Sequence, residues 1–297
     1  MCKFSRSTIL LAAASASLGI GLGLGGPAVH ANTILVQDTF GGTSIANPPW
    51  TTITANGGTI SENGALDVGL GSAPTSGQES YVSASDGVNS LNSTATTVTY
   101  DIQADINFAG MTVNSSLPNG SDADTINLLS LVNSNGGGNP LAEVSIDYTF
   151  TSIRYGLSGY LRYAAPISPG TVNISTATFA SNLQQHWDLS ATFTETGGGN
   201  WTYTDTLTVT SGSTTLANLT GTTSGSPGTS AWNPIIYNNT VSIGDLLHTY
   251  NTSALSGSYS INNFSDTLVS VPEPTALGLM AALGTGVLLV GRKRKVA

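Results

Sequence analysis

Cysteine and basic side chains are nearly missing from this sequence, and each gap removes a class of chemistry. The one cysteine, Cys2, precedes the first apolar stretch instead of following it, which excludes a lipid-anchored leader. Removal of a leader would leave no thiol, so disulfides, thiolate nucleophiles and zinc-thiolate sites are excluded from the mature chain. Of the 8 lysines and arginines, Lys3 and Arg6 open the chain and Arg292, Lys293, Arg294 and Lys295 close it. Only Arg154 and Arg162 lie between. All of the 17 acidic residues except Glu273 fall from Asp38 to Asp266, giving that segment a formal charge of about −14. Nucleic acid is excluded as a partner, because nothing neutralises its phosphates. An acidic polysaccharide would need a bridging divalent cation. Histidine is scarce too: after His30 only His186 and His248 remain, and neither is near a Gly-x-Ser-x-Gly elbow.

What the chain has in abundance is Ser, Thr, Asn and Gly, arranged in strict alternation with apolar residues. In TVTYDIQADINF, residues Val98, Tyr100, Ile102, Ala104, Ile106 and Phe108 share one face. The pattern returns with Val144, Ile146, Tyr148 and Phe150, and again with Trp187, Leu189, Ala191 and Phe193. The glycines before Asn200 turn this last run into Trp201, Tyr203, Asp205, Leu207 and Val209, which reads as a hairpin. Helical signals are confined to ATFASNLQQ after Thr176 and IGDLLHTYNTSAL from Ile243. One antiparallel β-sandwich over residues 32–270 is the expected fold, preceded by a signal peptide at 1–31 and followed by a membrane segment at 271–297.

The two ends carry the strongest motifs. The last residues, VPEPTALGLMAALGTGVLLVGRKRKVA, join a Pro-Glu-Pro restraint to an apolar run from Ala276 to Val290 and a cationic end. A helix over that run would be about 25 Å long, slightly short of a hydrocarbon core of about 30 Å. The cations Arg292, Lys293, Arg294 and Lys295 would hold it on the cytoplasmic side. The order Val271, Pro272, Glu273, Pro274, helix, basic end resembles the PEP-CTERM sorting signal. That resemblance implies export from a Gram-negative cell, transient anchoring in the inner membrane, recognition by an exosortase and cleavage near Pro272-Glu273-Pro274. It also implies a final place at the surface or in extracellular polymer. The N-terminus agrees: Lys3 and Arg6, an apolar stretch from Ile9 to Leu24, and Val29-His30-Ala31 permit signal peptidase to cut between Ala31 and Asn32.

Within the central segment, DTFGG, Trp50, NGALDV and the closing SYSINNFSDTLVSV resemble the concanavalin A-like, or laminin G-like, jelly roll. The resemblance implies that the first and last strands pair. It leaves open whether the domain is a glycosidase, a lectin or a structural module.

Candidate chemistry is sparse. Glu143 and Asp147, like Asp101 and Asp105, sit four residues apart on one strand face, about 13 Å, beyond the separation that glycoside hydrolysis uses. A carboxylate pair from different strands stays open. His186, beside a Trp at a strand start, reads as an edge or surface residue. Asp122 and Asp124 in NGSDADTIN are hard oxygen ligands of the type calcium takes, and equally good turn chemistry. Trp187 and Trp201 alternate with aliphatic residues and read as core. Trp232 and Tyr237, in a Pro- and Gly-rich loop, are the candidates for glycan contact. The expectation is an exported, exosortase-processed, non-enzymatic surface or matrix protein, structural or bound to exopolysaccharide, with no required cofactor. The alternatives are a calcium-assisted lectin or glycosidase, and a periplasmic protein that keeps its anchor.

Overall fold

The computed structural model describes residues 31–272 except 47–48, 72–76, 86–94, 115–123, 134–139, 150–151, 160–166, 168–169, 198–199, 226–238 and 250–253. The expected leader and the apolar C-terminal segment lie outside the described residues. Among those described, no helix is long and apolar enough to cross a membrane.

The described chain forms two antiparallel sheets. One is nine-stranded, in the order β14 (Thr214–Gly225), β13 (Asn200–Ser211), β12 (Gln184–Gly197), β6 (Ala95–Asn107), β16 (Leu255–Pro272), β4 (Leu66–Gly71) and β3 (Thr59–Glu62). Strands β1 (Ala31–Asp38) and β7 (Met111–Val113) also pair with the long β16. The other is seven-stranded: β11 (Thr171–Ser175), β10 (Ser152–Ser158), β9 (Pro140–Thr149), β8 (Asp124–Asn133), β15 (Asn239–Thr249), β5 (Gln78–Ser85) and β2 (Thr51–Ala55).

Period-2 alternation gives each sheet one apolar face, and the two faces close on a single core. Val98, Tyr100, Ile102 and Ala104 of β6 meet Val144 and Ile146 of β9 in that shared cluster, all fully buried. Part of it is aromatic: Phe108 packs on Phe179, Trp187 and Tyr259, and Tyr155 meets Trp187 edge-on. Buried hydrogen bonds stitch the sheets, the Tyr203 hydroxyl donating to the Leu141 carbonyl at 2.6 Å and the Leu255 N–H to Asp124 Oδ2 at 2.6 Å. The first and last strands pair antiparallel, Ala31 opposite Ser270 and Asp38 opposite Phe264. Gly197, at φ +95°, ends the β12 arm of the hairpin to β13.

Two helix expectations are corrected. After Thr176 the helix α1 is only Thr176–Ala180. Ser175 caps its start, accepting from the Thr178 N–H at 3.0 Å, while Ser181 and Asn182 bond back to the carbonyls of Ala177 and Thr178. Those short polar side chains end the helix, and the alternation of β12 takes over at Gln184. Among the described residues from Ile243 there is no helix: those up to Thr249 belong to β15. Register shifts between Ile243 and Leu247, and between Asp245 and His248, insert residues into the strand. The irregularity spaces Ile243, Leu246 and Leu247 like a helical face without making one. Gly244 there has φ +128°, and a Cβ would lie 2.6 Å from the Ser80 carbonyl oxygen.

Candidate functional site

The outward face of the nine-stranded sheet is built by the same alternation that builds the core. Cross-strand register places Thr99, Thr192, Thr204 and Thr222 in one row over β6, β12, β13 and β14. The next rows are Asp101, Ser190, Thr206 and Thr220, then Gln103, Asp188, Thr208 and Asn218. Hydroxyls bond along the rows, Thr99 to Thr192 at 3.0 Å and Thr204 to Thr222 at 3.1 Å. With strands about 4.8 Å apart and outward residues about 6.7 Å apart along each strand, this is a broad field of donors and acceptors. No lysine or arginine stands in these rows.

A cavity of about 300 Å³ in this face is lined by Thr99, Asp101, Asp188, Ser190, Thr206, Thr208 and Val269. Burial, with the charge and hydrogen bond of Asp101, raises the Asp188 carboxyl to about 6, while His186 pulls it the other way. The Gln103 amide donates to both Asp101 oxygens at 3.3 and 3.4 Å. Strands β6 and β12 thus supply the inter-strand carboxylate pair that the sequence left open.

Farther along the same strands lies a wider cleft of about 490 Å³, lined among others by Thr39, Asp105, Asn107, Gln184, His186, Asn262 and Asn263. His186 Nδ1 is 2.8 Å from Asp105 Oδ1, and the Asn263 amide donates to Asp105 Oδ2 at 2.7 Å. In the neutral ring with Nδ1–H donating to the carboxylate, the other ring nitrogen, Nε2, is an acceptor. Asn263 holds φ +51° where the register of β16 shifts between Asn262 and Ser265. His186 is exposed as expected, but it lies in mid-sheet, between β6 and β13, and not at an edge.

The remaining expected residues are scattered. Ala31 and Asn32 open β1, and Val271 and Pro272 close β16. Asp124 is fully buried and bound by the Leu255 N–H, so its carboxylate ties β8 to β16. Among the described residues no three His, Cys, Asp or Glu side chains gather as a metal site. Asp122, Trp232, Tyr237, Glu273, Pro274, Arg292, Lys293, Arg294 and Lys295 lie outside the described residues. Trp187 and Trp201 are buried, as the alternation requires. On the other sheet Arg154 Nε donates to Asp147 Oδ2 at 2.7 Å, and burial raises the Glu143 carboxyl, offset by a hydrogen bond from Asn127.

Two pairings escaped sequence reasoning, Asp101 with Asp188 and Asp105 with His186. The first joins residues 87 positions apart and the second spans 81, and only the β6 to β12 register brings them together. The one available signal was that both segments alternate with acidic or histidine residues outward.

No family model matches the chain, and no curated protein matches it significantly. Among solved structures, "lectin UEA-II complexed with galactose" is similar at 10% identity and a TM-score of 0.36, over 81% of this chain and 98% of that one. Lectin II from Ulex europaeus aligns at 12% identity and a TM-score of 0.36 over the same shares. The binding domain of botulinum neurotoxin DC in complex with SialylT gives 10% identity and 0.32, over 83% of this chain and 50% of that one.

Proposed function

We propose that this is an exported, exosortase-processed protein of the cell surface or extracellular matrix, whose jelly-roll domain of the concanavalin A-like class associates with neutral exopolysaccharide and is not an enzyme. The observation that carries the glycan reading is the outward face of the nine-stranded sheet. Its rows of hydroxyls and amides, without cations, suit uncharged polyhydroxylated polymer and oppose polyanions. The export reading rests on the two-ended sequence signature, with signal peptidase acting after Ala31 and exosortase near Pro274.

Fractionation of cells making the native protein tests this reading. The protein should appear with the extracellular polymer, and removal of residues 271–297 should prevent its delivery there. Confinement to the inner membrane of the intact protein would instead favour a permanent anchor.

A further inference from the structure

We infer that the cleft around Asp105, His186 and Asn263 is a binding site for the adjacent hydroxyls of a neutral sugar. The inference rests on the proposed association with glycan and locates it.

The chemistry begins with Asp105, whose two oxygens are engaged by His186 Nδ1 and the Asn263 amide. A carboxylate held on both sides orients its partners more than it offers itself to a ligand. In the neutral imidazole that donates Nδ1–H to it, Nε2 is an acceptor, and the side chain lines the cleft and is 47% exposed, so a ligand hydroxyl can reach it. Around it stand Asn107, Gln184 and Asn262, planar amides whose side chains carry both donors and an acceptor, the Asn107 oxygen also accepting the Ala109 N–H at 3.0 Å, and the Thr39 hydroxyl. A vicinal diol has the matching need: each hydroxyl donates once and accepts from a neighbouring N–H.

Charge narrows the ligand class. The described lining holds no lysine or arginine and carries Asp105, and Asp188 follows His186 on the outward side of β12, so the surroundings disfavour an anionic sugar. The described lining also holds no aromatic ring, so affinity per site rests on hydrogen bonds and a polymer would gain from repeated engagement. The backbone agrees with a built site. The bulge in β16 turns successive asparagines to the cleft, and Asn263 keeps a left-handed φ of +51° whose cost the Asp105 bond helps to offset.

The test is affinity electrophoresis of the full chain in detergent through gels containing dextran, mannan, galactan or the cells' own extracellular polymer, with a polyuronate gel as contrast. Retardation is expected in at least one neutral polymer and none in polyuronate. His186→Ala and Asp105→Asn should weaken it about tenfold, the effect of leaving hydrogen-bonding groups unmatched. His186→Gln, which keeps an acceptor, should retain part of the binding, and Thr171→Ala, exposed on the edge strand β11 of the other sheet, all of it. Thermal melts of each variant separate lost contact from lost fold, and Gln184→Ala serves if the His186 variants melt early. Neutral-polymer binding that persists undiminished in the cleft variants would overturn this site while leaving glycan association standing. Absence of retardation of the wild type by every polymer would overturn both.

Discussion

The Trp50 indole N–H donates to Asp38 Oδ2 at 2.8 Å, and Asp38 Oδ1 accepts the Phe40 N–H, also at 2.8 Å. Phe40, at φ +48°, and Phe264 pack on the Trp50 ring at 5.5 and 5.3 Å. One carboxylate thus fixes the corner that follows β1, and the ring it holds is wedged against the last strand. Trp50→Phe should leave Asp38 Oδ2 short of a donor and the pocket underfilled. We expect a loss of about 1–3 kcal/mol of stability, read from the urea midpoint. An unchanged midpoint would mean that the corner is held by other contacts.

Asp205 faces the core beneath Tyr203 and is fully buried. Burial pushes its carboxyl well above the ordinary range. The folded state therefore keeps a proton that the unfolded chain releases near pH 4. Its contribution to stability is complete below that pH and declines as pH rises toward the folded value. Asp205→Asn should raise the melting temperature at pH 7 and flatten the decline, with little change at pH 4. Equal destabilisation at both pH values would contradict a neutral carboxyl at this position.

Asp188 gives a second, milder dependence. With its carboxyl raised to about 6, the stability it contributes is lost between about pH 4 and 6 as pH rises. Carboxyl chemical shifts should show one group titrating near 6, and Asp101→Asn should move that midpoint downward by removing the like charge. A midpoint unmoved by Asp101→Asn would show that burial alone sets it.

Gly244→Ala tests the bulge in β15. A Cβ would meet the Ser80 carbonyl oxygen at 2.6 Å and the Tyr81 Cα at 2.8 Å, at a backbone φ of +128°. A cost of about 2–4 kcal/mol is expected by thermal or urea unfolding. Wild-type stability would mean that the strand relaxes around the added methyl.

Alternation was legible wherever one face is wholly core, because burial there demands strict period 2. It identified β6, β12 and β13 with their inward residues. It failed at β15, where the register shifts gave Ile243, Leu246 and Leu247 helical spacing. Asp38 and Trp50 were visible as separate cues without their bond, since contact over a corner leaves no periodic trace. The cleft was hidden for a related reason. Its members come from β6, β12 and a bulged β16, and sequence spacing within one strand cannot report the register between strands.

The most direct test of the account is the intact mass of the native protein recovered from the extracellular polymer. A single species beginning at Asn32 and lacking the residues after about Pro274 is the result expected of an exported protein released by exosortase. Full-length protein, found only in membranes, would contradict it.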